Sequence, residues 1–213
     1  FVLDTAETIM LDELKIINSL LATIGVDGLT ATDDQHPDFV KARLQVKLTT
    51  NSCLKLGFWF NTTYPTFSPN DNGEIFLPND TLHTDALDTS VHVTKRGRRL
   101  YNIADRTFIF PAGTAIVVKH IATLALDELP ETVLDYIRQK ARYEFYVDND
   151  GDEGRARRYE GAANQAWVEL YREHLRNLDI TALNSPSSRR MTKGRRTGTT
   201  GYSALNAHLH TGV

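Results

Sequence analysis

The fold class is decided by residues 58–67, FWFNTTYPTF, where aromatic and β-branched residues are packed more densely than a helix favours. Three segments of the same kind follow it, separated by Pro, Asn, Asp and Gly: EIFLP at 74–78, SVHVTKRGRRLYNIADRTFIF at 90–110 and AIVVKHIATLAL at 115–126. Such runs are typical of short strands joined by turns. The sequence therefore predicts an antiparallel β region over 58–125.

A charged turn lies inside this region. Lys95-Arg96-Gly97-Arg98 separates the predicted strands Val91 to Thr94 and Arg99 to Asn102, and Gly97 is free to adopt positive φ. Together with Arg99 the turn carries four positive charges in five residues. A hairpin tip in solvent explains this cluster, and so does a contact with an acidic partner.

The chain before the β region has helical periodicity. Apolar residues step by 4, 3, 4 and 3 before Gly25, which supplies a left-handed stop: Met10, Leu14, Ile17, Leu21 and Ile24. Pro37 suits the first turn of a second helix, since its missing N–H has no partner there. The second stripe runs to Gly57 through Phe39, Ala42, Val46, Thr49, Cys53 and Leu56. An αα-hairpin is predicted.

Helical periodicity returns after the β region. Leu129-Pro130-Glu131 opens a third helix, whose apolar face consists of Val133, Leu134, Ile137, Ala141 and Phe145. A fourth helix is predicted from Glu153 to Leu178, with Tyr159, Ala163, Trp167, Leu170, His174 and Leu178 on one stripe. We interpret Trp59 and Trp167 as core or interface anchors. The prediction is an α+β fold: a four-helix bundle from 1–57 and 126–180, with 58–125 inserted as a β lobe.

Charge divides the chain into an acidic body and a basic tail. The net charge is −3, but residues 1–179 carry −8, and Arg189, Arg190, Lys193, Arg195 and Arg196 add +5 after them. Residues 184–201 are rich in Ser, Thr, Gly, Arg and Lys, and such a stretch cannot bury enough apolar surface to offset its ordering entropy. We interpret 181–213 as a basic extended arm that orders against a partner; a disordered tail is the alternative.

Composition excludes several classes of protein. Cys53 is the single cysteine, so an intrachain disulfide and a cysteine-rich zinc site are excluded. The apolar runs are far shorter than the ~18 residues that span a bilayer, and the chain starts with acids where a signal peptide carries bases. The histidines are scattered, and nucleotide-binding and hydrolase motifs are absent. We expect no metal, no cofactor and no membrane contact.

Two acidic clusters invite a chemical interpretation. The segment 148–154, DNDGDEG, resembles a calcium loop, but Glu153 stands where the sixth-position glycine belongs and Tyr159 where the twelfth-position glutamate belongs. A polar turn between helices explains it. Asp127, Glu128 and Glu131 could supply the acid and base of a glycosidase, or they could be acids that favour helix starts.

The order of landmarks along the chain resembles the tail tubular protein A family of short-tailed podoviruses, the head-to-tail adaptor or gatekeeper. The matching pieces are INSLL at 17–21 before Ile24-Gly25, GFWFN at 57–61, IFLPNDTL at 75–82, the 93–102 hairpin, Leu129-Pro130-Glu131, Tyr136-Ile137 and Lys140-Ala141. They are collinear from about residue 10 to residue 176. Val26-Asp27-Gly28-Leu29 and Phe58 depart from the family pattern but preserve its turn and aromatic character, and the basic tail matches no family landmark.

The resemblance implies a structural protein of the virion tail, assembled in the bacterial cytoplasm and not an enzyme. It implies a homododecameric ring between the portal and the nozzle (tail tubular protein B), with tail fibres near its rim and DNA passing through its centre. We assign the arm bases 189, 190, 193, 195 and 196 to the portal. We assign Lys95, Arg96, Arg98 and Arg99 to the nozzle or fibres. The alternatives are a tail-associated polysaccharide hydrolase using Asp127, Glu128 and Glu131, and a nucleic-acid-binding module acting through the arm.

Overall fold

A computed structural model describes residues 5–28, 35–149 and 151–183, with side chains over 13–28, 35–149 and 151–178. The chain divides into two compact units, Phe1–Tyr171 and Arg172–Val213, which are considered separately. In the described part of the second unit, 172–183, the backbone is helical and the Asn177 amide donates to the Glu173 carbonyl at 2.9 Å.

The first two helices begin and end much as the sequence predicts. Helix α1 spans Thr5–Leu21 and continues as a 3₁₀ turn over Ala22–Ile24, which Gly25 terminates at φ 76°. Helix α2 spans Pro37–Leu54, with Pro37 in its first turn and the ring of His36 accepting from the Asp38 N–H. It ends before Leu56, so that the last residue of the predicted stripe is exposed.

Helix α3 spans Glu131–Asn149 and helix α4 spans Glu153–Leu183, five residues beyond its predicted end. Helices α1, α2 and α3 pack against one another around an apolar cluster of Ile16, Ile17, Leu20, Leu21, Phe39, Ala42, Val46, Ala141 and Phe145. Helix α4 meets α3 through aromatic pairs: Tyr159 lies 5.1 Å from Tyr146, and Trp167 lies 5.2 Å from Tyr136, between ring centroids. Leu178, the last residue of the predicted α4 stripe, is exposed, so the prediction was wrong at this position.

Within the described ranges, six strands form two antiparallel sheets, so the fold is α+β. The strands are β1 Thr62–Thr63, β2 Thr66–Phe67, β3 Thr81–Ala86, β4 Val93–Arg96, β5 Arg99–Asn102 and β6 Ile116–Ala122. Strand β6 pairs with β1, β2 and β3, with Thr63 and Thr84 both in register with His120. Strands β4 and β5 form the second sheet. Residues 74–78, predicted as a strand, contribute only isolated bridges from Glu74 and Phe76.

Two further apolar clusters lie in the first unit. One consists of Ile75, Leu77, Val93, Leu100, Phe110, Ile116 and Val118 from the β region. The other joins the β region to the helices: Phe58, Leu82 and Leu124 pack with Leu54, Leu129, Val133, Ile137 and Leu170. Trp59 and Trp167 are half-buried against this cluster, which confirms that they are packing anchors. We call it the shared cluster.

Candidate interaction surfaces

The charged turn between β4 and β5 has a two-residue connection. Arg96 and Arg99 are the last pair in register, and Gly97 and Arg98 connect them, with Gly97 at φ 62°. The predicted turn was therefore too long, because Lys95 and Arg96 belong to β4. Positive φ at the first connecting residue is a requirement of the tight turns that match strand twist, which explains the glycine.

Two of the four bases at this turn bind within the chain. The ammonium of Lys95 donates to the carbonyl of Thr81. The guanidinium of Arg99 pairs with the carboxylate of Glu74 and lies 4.2 Å from the centroid of the Phe108 ring. Both side chains are only partly exposed. The Lys95 contact joins β4 of the smaller sheet to β3 of the larger one, and the Arg99 contact joins β5 to the 74–78 segment.

The other two bases are exposed. The guanidinium of Arg96 lies over the Tyr101 ring, 3.6 Å from its centroid, in a cation–π contact, and Tyr101 packs edge-on against Phe108 at 4.9 Å between centroids. Arg98 forms no ion pair with any residue that the structure describes. The charge available to a partner at this turn is therefore that of Arg96 and Arg98.

The arm and its five bases, Arg189, Arg190, Lys193, Arg195 and Arg196, lie outside the described residues. Their assignment to the portal stays a prediction.

The acids of the hydrolase alternative have structural positions at helix starts. Asp127 and Glu128 belong to a 3₁₀ turn, Leu126–Glu128, where the Glu128 carboxylate accepts the Ala125 N–H at 3.0 Å. Glu131 opens α3, and all three side chains are exposed. Acids at these positions stabilise unpaired N–H groups and the positive end of the helix dipole.

The acidic segment joins two helices, as predicted, since α3 ends at Asn149 and α4 begins at Glu153. Asp152 caps α4, since its carboxylate accepts the Arg155 N–H at 2.8 Å, and Gly151 turns the chain at φ 73°. Across the described ranges, no three His, Cys, Asp or Glu residues are grouped as metal ligands. The helices that the structure describes are too short or too polar to cross a bilayer.

His120 is buried in the centre of the larger sheet, and its two ring nitrogens contact threonine hydroxyls. The Thr81 hydroxyl donates to the Pro78 carbonyl at 2.8 Å and lies 2.9 Å from Nε2, so it accepts the Nε2 proton. Nδ1 then accepts from the Thr63 hydroxyl at 3.3 Å. Because both ring nitrogens are hydrogen-bonded within the sheet, we assign His120 a structural role.

One exposed surface was missed by the sequence reasoning. Val40, Leu44 and Leu48 form an exposed apolar row on α2, on the side opposite its buried stripe. Their spacing of four residues was visible in the sequence, but the buried stripe offered the stronger periodic signal and accounted for the helix. A groove of about 500 Å³ runs beside this row.

A second groove, of about 520 Å³, lies in the β region between Leu87, Val91, Phe110 and Val117. Asp88, Asn102 and Thr114 also line it, and Asn102 is the last residue of β5.

Comparison with known proteins places the chain in a family. Residues 14–178 match the family model described as tail tubular protein. The chain is also 24% identical over 184 residues to "Tail tubular protein A" of Klebsiella phage KP34, covering 86% of this chain and 97% of that protein. The matched region includes α2, α3 and the six described strands, and it begins within α1 and ends within α4. The chain belongs to the tail tubular protein family and is a structural component of a phage tail.

Proposed function

We propose that the chain is a ring-forming head-to-tail adaptor that joins the portal to the nozzle and surrounds the DNA channel. The observation that carries this proposal is the family match over 14–178, together with the near-complete coverage of tail tubular protein A from phage KP34. The ring is taken to be a homododecamer at the portal-proximal end of the tail, assembled in the host cytoplasm and acting as gatekeeper in DNA ejection.

In this proposal the four helices close into one bundle from 1–57 and 126–180, residues 58–125 project as the β lobe, and 181–213 extend as the arm. Identical subunits close into a ring when each presents two different, complementary faces and the rotation between copies divides the circle. Helices α2 and α4 both contact α3, and each carries exposed apolar side chains that are available to a neighbouring copy.

The charge distribution supports a role as the wall of a DNA channel. Residues 1–179 carry −8, and each phosphate that a protein neutralises adds salt-dependent affinity for DNA. An acidic or neutral channel wall releases a genome quickly. Twelve arms of +5 would add about +60 if they lined the channel, enough to hold the duplex firmly. We therefore propose that the arm binds an acidic surface of the portal and that the β4–β5 turn binds the nozzle or the fibres.

The proposal is tested by measuring the mass of the purified protein and its attachment to portal-filled heads and to the nozzle protein. Twelve copies of 24.0 kDa give a particle of about 288 kDa, measured by light scattering alone and after addition of portal-filled heads. We expect a ring, free or on the portal, that the nozzle protein then binds. A lone 24.0 kDa particle that ignores heads and nozzle protein would refute the adaptor role. Reducing-sugar release in the same preparation would instead indicate the hydrolase.

The arm has its own test. A variant that ends at Asn184 removes all five arm bases. We expect it to form rings but to attach weakly to portal-filled heads at low salt, with the difference from the unmodified chain shrinking as salt rises, because salt screens the exposed charge pairs that only the unmodified chain makes. A matched variant with the five bases changed to Gln separates charge from length. Normal attachment by both variants would refute the portal assignment.

A further inference from the structure

The sheet of β4 and β5 is extended by neighbouring segments. Backbone hydrogen bonds of 2.9 and 3.0 Å join residues 75–77 to residues 98–100. Isolated bridges pair Phe76 with Arg99 and Glu74 with Ile109. The two strands and the segments 74–78 and 107–110 therefore form one continuous surface.

Side chains on this surface alternate between the core and the solvent. The inward ones belong to the apolar cluster of the β region: Ile75, Leu77, Val93, Leu100 and Phe110. Paired residues of antiparallel strands point to the same side, so the registers and ring contacts place a second set outward. These outward residues are Phe76, Arg96, Arg99, Tyr101, Phe108 and Ile109. We call them the arginine–aromatic face.

The two arginines of this face are held on aromatic rings. Arg96 lies 3.6 Å from the centroid of Tyr101, and Arg99 lies 4.2 Å from that of Phe108. A cation–π contact orients a guanidinium without using its N–H donors. Arg96 forms no ion pair with a residue that the structure describes, so its donors are available to a carboxylate.

Two large apolar side chains lie beside these arginines. Phe76 is 51% exposed and Ile109 is 53% exposed. Ile109 packs directly on the backbone of Gly73, where an added Cβ would lie 2.8 Å from its Cγ2. Side chains held in this way lose little entropy on binding, and aromatic residues and arginines are enriched among those that dominate protein interfaces.

The charge of this surface is opposite to that of the body around it. Residues 71–78 and 93–110, which form the surface and its turns, contain five bases and three acids, whereas residues 1–179 carry −8. One of these acids, Glu74, already pairs with Arg99. The complementary surface has carboxylates around an apolar centre.

Nucleic acid fits this face poorly. Duplex DNA would contact the arginines through its phosphates but leave Phe76 and Ile109 in water. Single strands bind by stacking bases on open aromatic rings, whereas the rings of Tyr101 and Phe108 already lie under guanidinium groups. The combination of apolar and charged groups favours a protein.

We propose that the arginine–aromatic face binds a protein surface that carries carboxylates around an apolar centre, and that in the tail this surface belongs to the nozzle protein. The proposal rests on the proposed function and extends its contact from the charged turn to the sheet behind it. A lasting joint needs apolar burial as well as charge, because salt screens exposed charge pairs. Phe76 and Ile109 supply that apolar contact, which Arg98 at the turn lacks.

Cysteine labelling locates the contact directly. Cys53 is buried, so Ile109→Cys adds one reactive thiol on the face, and Leu87→Cys is the matched control on an exposed leucine elsewhere in the β region. The rate of labelling by a maleimide is measured on rings, free or on portal-filled heads, with and without purified nozzle protein. We expect the nozzle protein to slow labelling at position 109 by at least about tenfold and to leave position 87 unchanged.

Affinity variants separate the apolar and charged contributions. Phe76→Ala and Arg96→Gln should each weaken nozzle binding by at least about tenfold. Since only Arg96→Gln removes a charge, it alone should reduce the dependence of affinity on salt. Leu87→Ala and Arg155→Gln, on exposed residues away from the face, are the matched controls and should bind normally. Circular dichroism of every variant verifies folding.

The outcomes are distinguishable. If unmodified rings do not bind the nozzle protein, the proposed function fails. If they bind it, but labelling at position 109 is unchanged and Phe76→Ala binds normally, the proposed function survives and the inference is overturned. Normal nozzle binding by Phe76→Ala with loss of fibre attachment or of the ring would also overturn it, and would assign the face to the fibres or to a second copy. Loss of DNA retention as the only defect of Arg96→Gln would overturn it in favour of nucleic acid.

Discussion

The side-chain amide of Asn61 donates to the carbonyl of Ala122 at 3.0 Å, across 61 residues of sequence. Its second hydrogen goes to the carbonyl of Leu54, the last residue of α2, at 2.9 Å, and its oxygen accepts the Phe58 N–H at 2.8 Å. Asn61 is buried, and the three bonds satisfy groups that the end of a helix and the end of a strand leave open. One side chain therefore joins α2 to β6.

Replacing Asn61 by Ala should destabilise the fold strongly. Three bonds are lost and buried partners are left unsatisfied, each at about 1–3 kcal/mol if no water replaces the amide, so we expect a free energy of unfolding about 2–4 kcal/mol lower. Urea denaturation measures it. Asn72→Ala, on an exposed residue of the β region, is the control and should change stability by less than about 0.5 kcal/mol. Equal effects of the two changes would contradict this role for Asn61.

Gly57→Ala should combine backbone strain with a steric clash. Gly57 has φ 75°, and a Cβ there would lie 2.5 Å from Cδ1 of Ile121. Gly113 has φ 82° with open space around it, so Gly113→Ala measures the strain alone, about 1–2 kcal/mol. We expect Gly57→Ala to cost more than Gly113→Ala. Adding Ile121→Val removes Cδ1 and should recover part of the difference in a double-mutant cycle; strict additivity would show that the clash relaxes without cost.

Cys53 should be unreactive in the folded chain. Burial raises the pKa of its thiol from 9.0 to about 12, so thiolate is scarce and the sulfur is covered. Iodoacetamide at pH 9.5 should modify the protein only after urea unfolds it. Rapid modification of the folded chain would show that the site opens.

The same shift predicts how stability depends on pH. Between pH 9 and 12 the folded state keeps a proton that the unfolded state releases, so the free energy of unfolding falls as pH rises, by up to about 1.4 kcal/mol per unit from this group. Cys53→Ala lacks that contribution. The difference between the two unfolding curves across this range isolates it from the titration of lysines and tyrosines.

The two kinds of arginine at the β4–β5 turn should behave differently. Arg98→Glu reverses an exposed charge and should leave stability within about 0.5 kcal/mol while impairing nozzle or fibre attachment. Arg99→Glu breaks the pair with Glu74 and places two carboxylates together, so it should also lower the melting temperature. Tail completion and thermal unfolding are measured on both. Normal virions from the Arg98→Glu phage would rule the turn out as a contact.

The helices were predictable because their signals are local and mutually consistent. Gly25 stops α1, Pro37 opens α2, and Pro130-Glu131 precedes α3, each for a reason that acts within one turn of the chain. The end of α4 was less certain, since residues 179–183 continue a good helical sequence without a stop. Periodicity placed Val133, Ile137, Ala141 and Phe145 in the core correctly.

The strands were predictable only in part. Strand β3, TLHTDA, was missed because it is polar: Thr81 and Thr84 are buried and His120 of β6 lies between hydroxyls, so hydrogen bonding replaces the apolar alternation that identifies a strand. The basic turn was found, but its sequence could not show that Lys95 and Arg99 bind Thr81 and Glu74, contacts that exist only after the sheets form.

The shared cluster limits where the chain can be divided into fragments or exchanged with segments of related proteins. Phe58, Leu82 and Leu124 belong to the β region by sequence, yet they bury their side chains against Leu54 and Val133. A fragment cut at 57/58 and 125/126 would expose that surface on both pieces and should aggregate. If the β region were exchanged between related phages, the helices of the recipient would need residues that pack against Phe58, Leu82 and Leu124. These boundaries are therefore poor places for natural or engineered exchange.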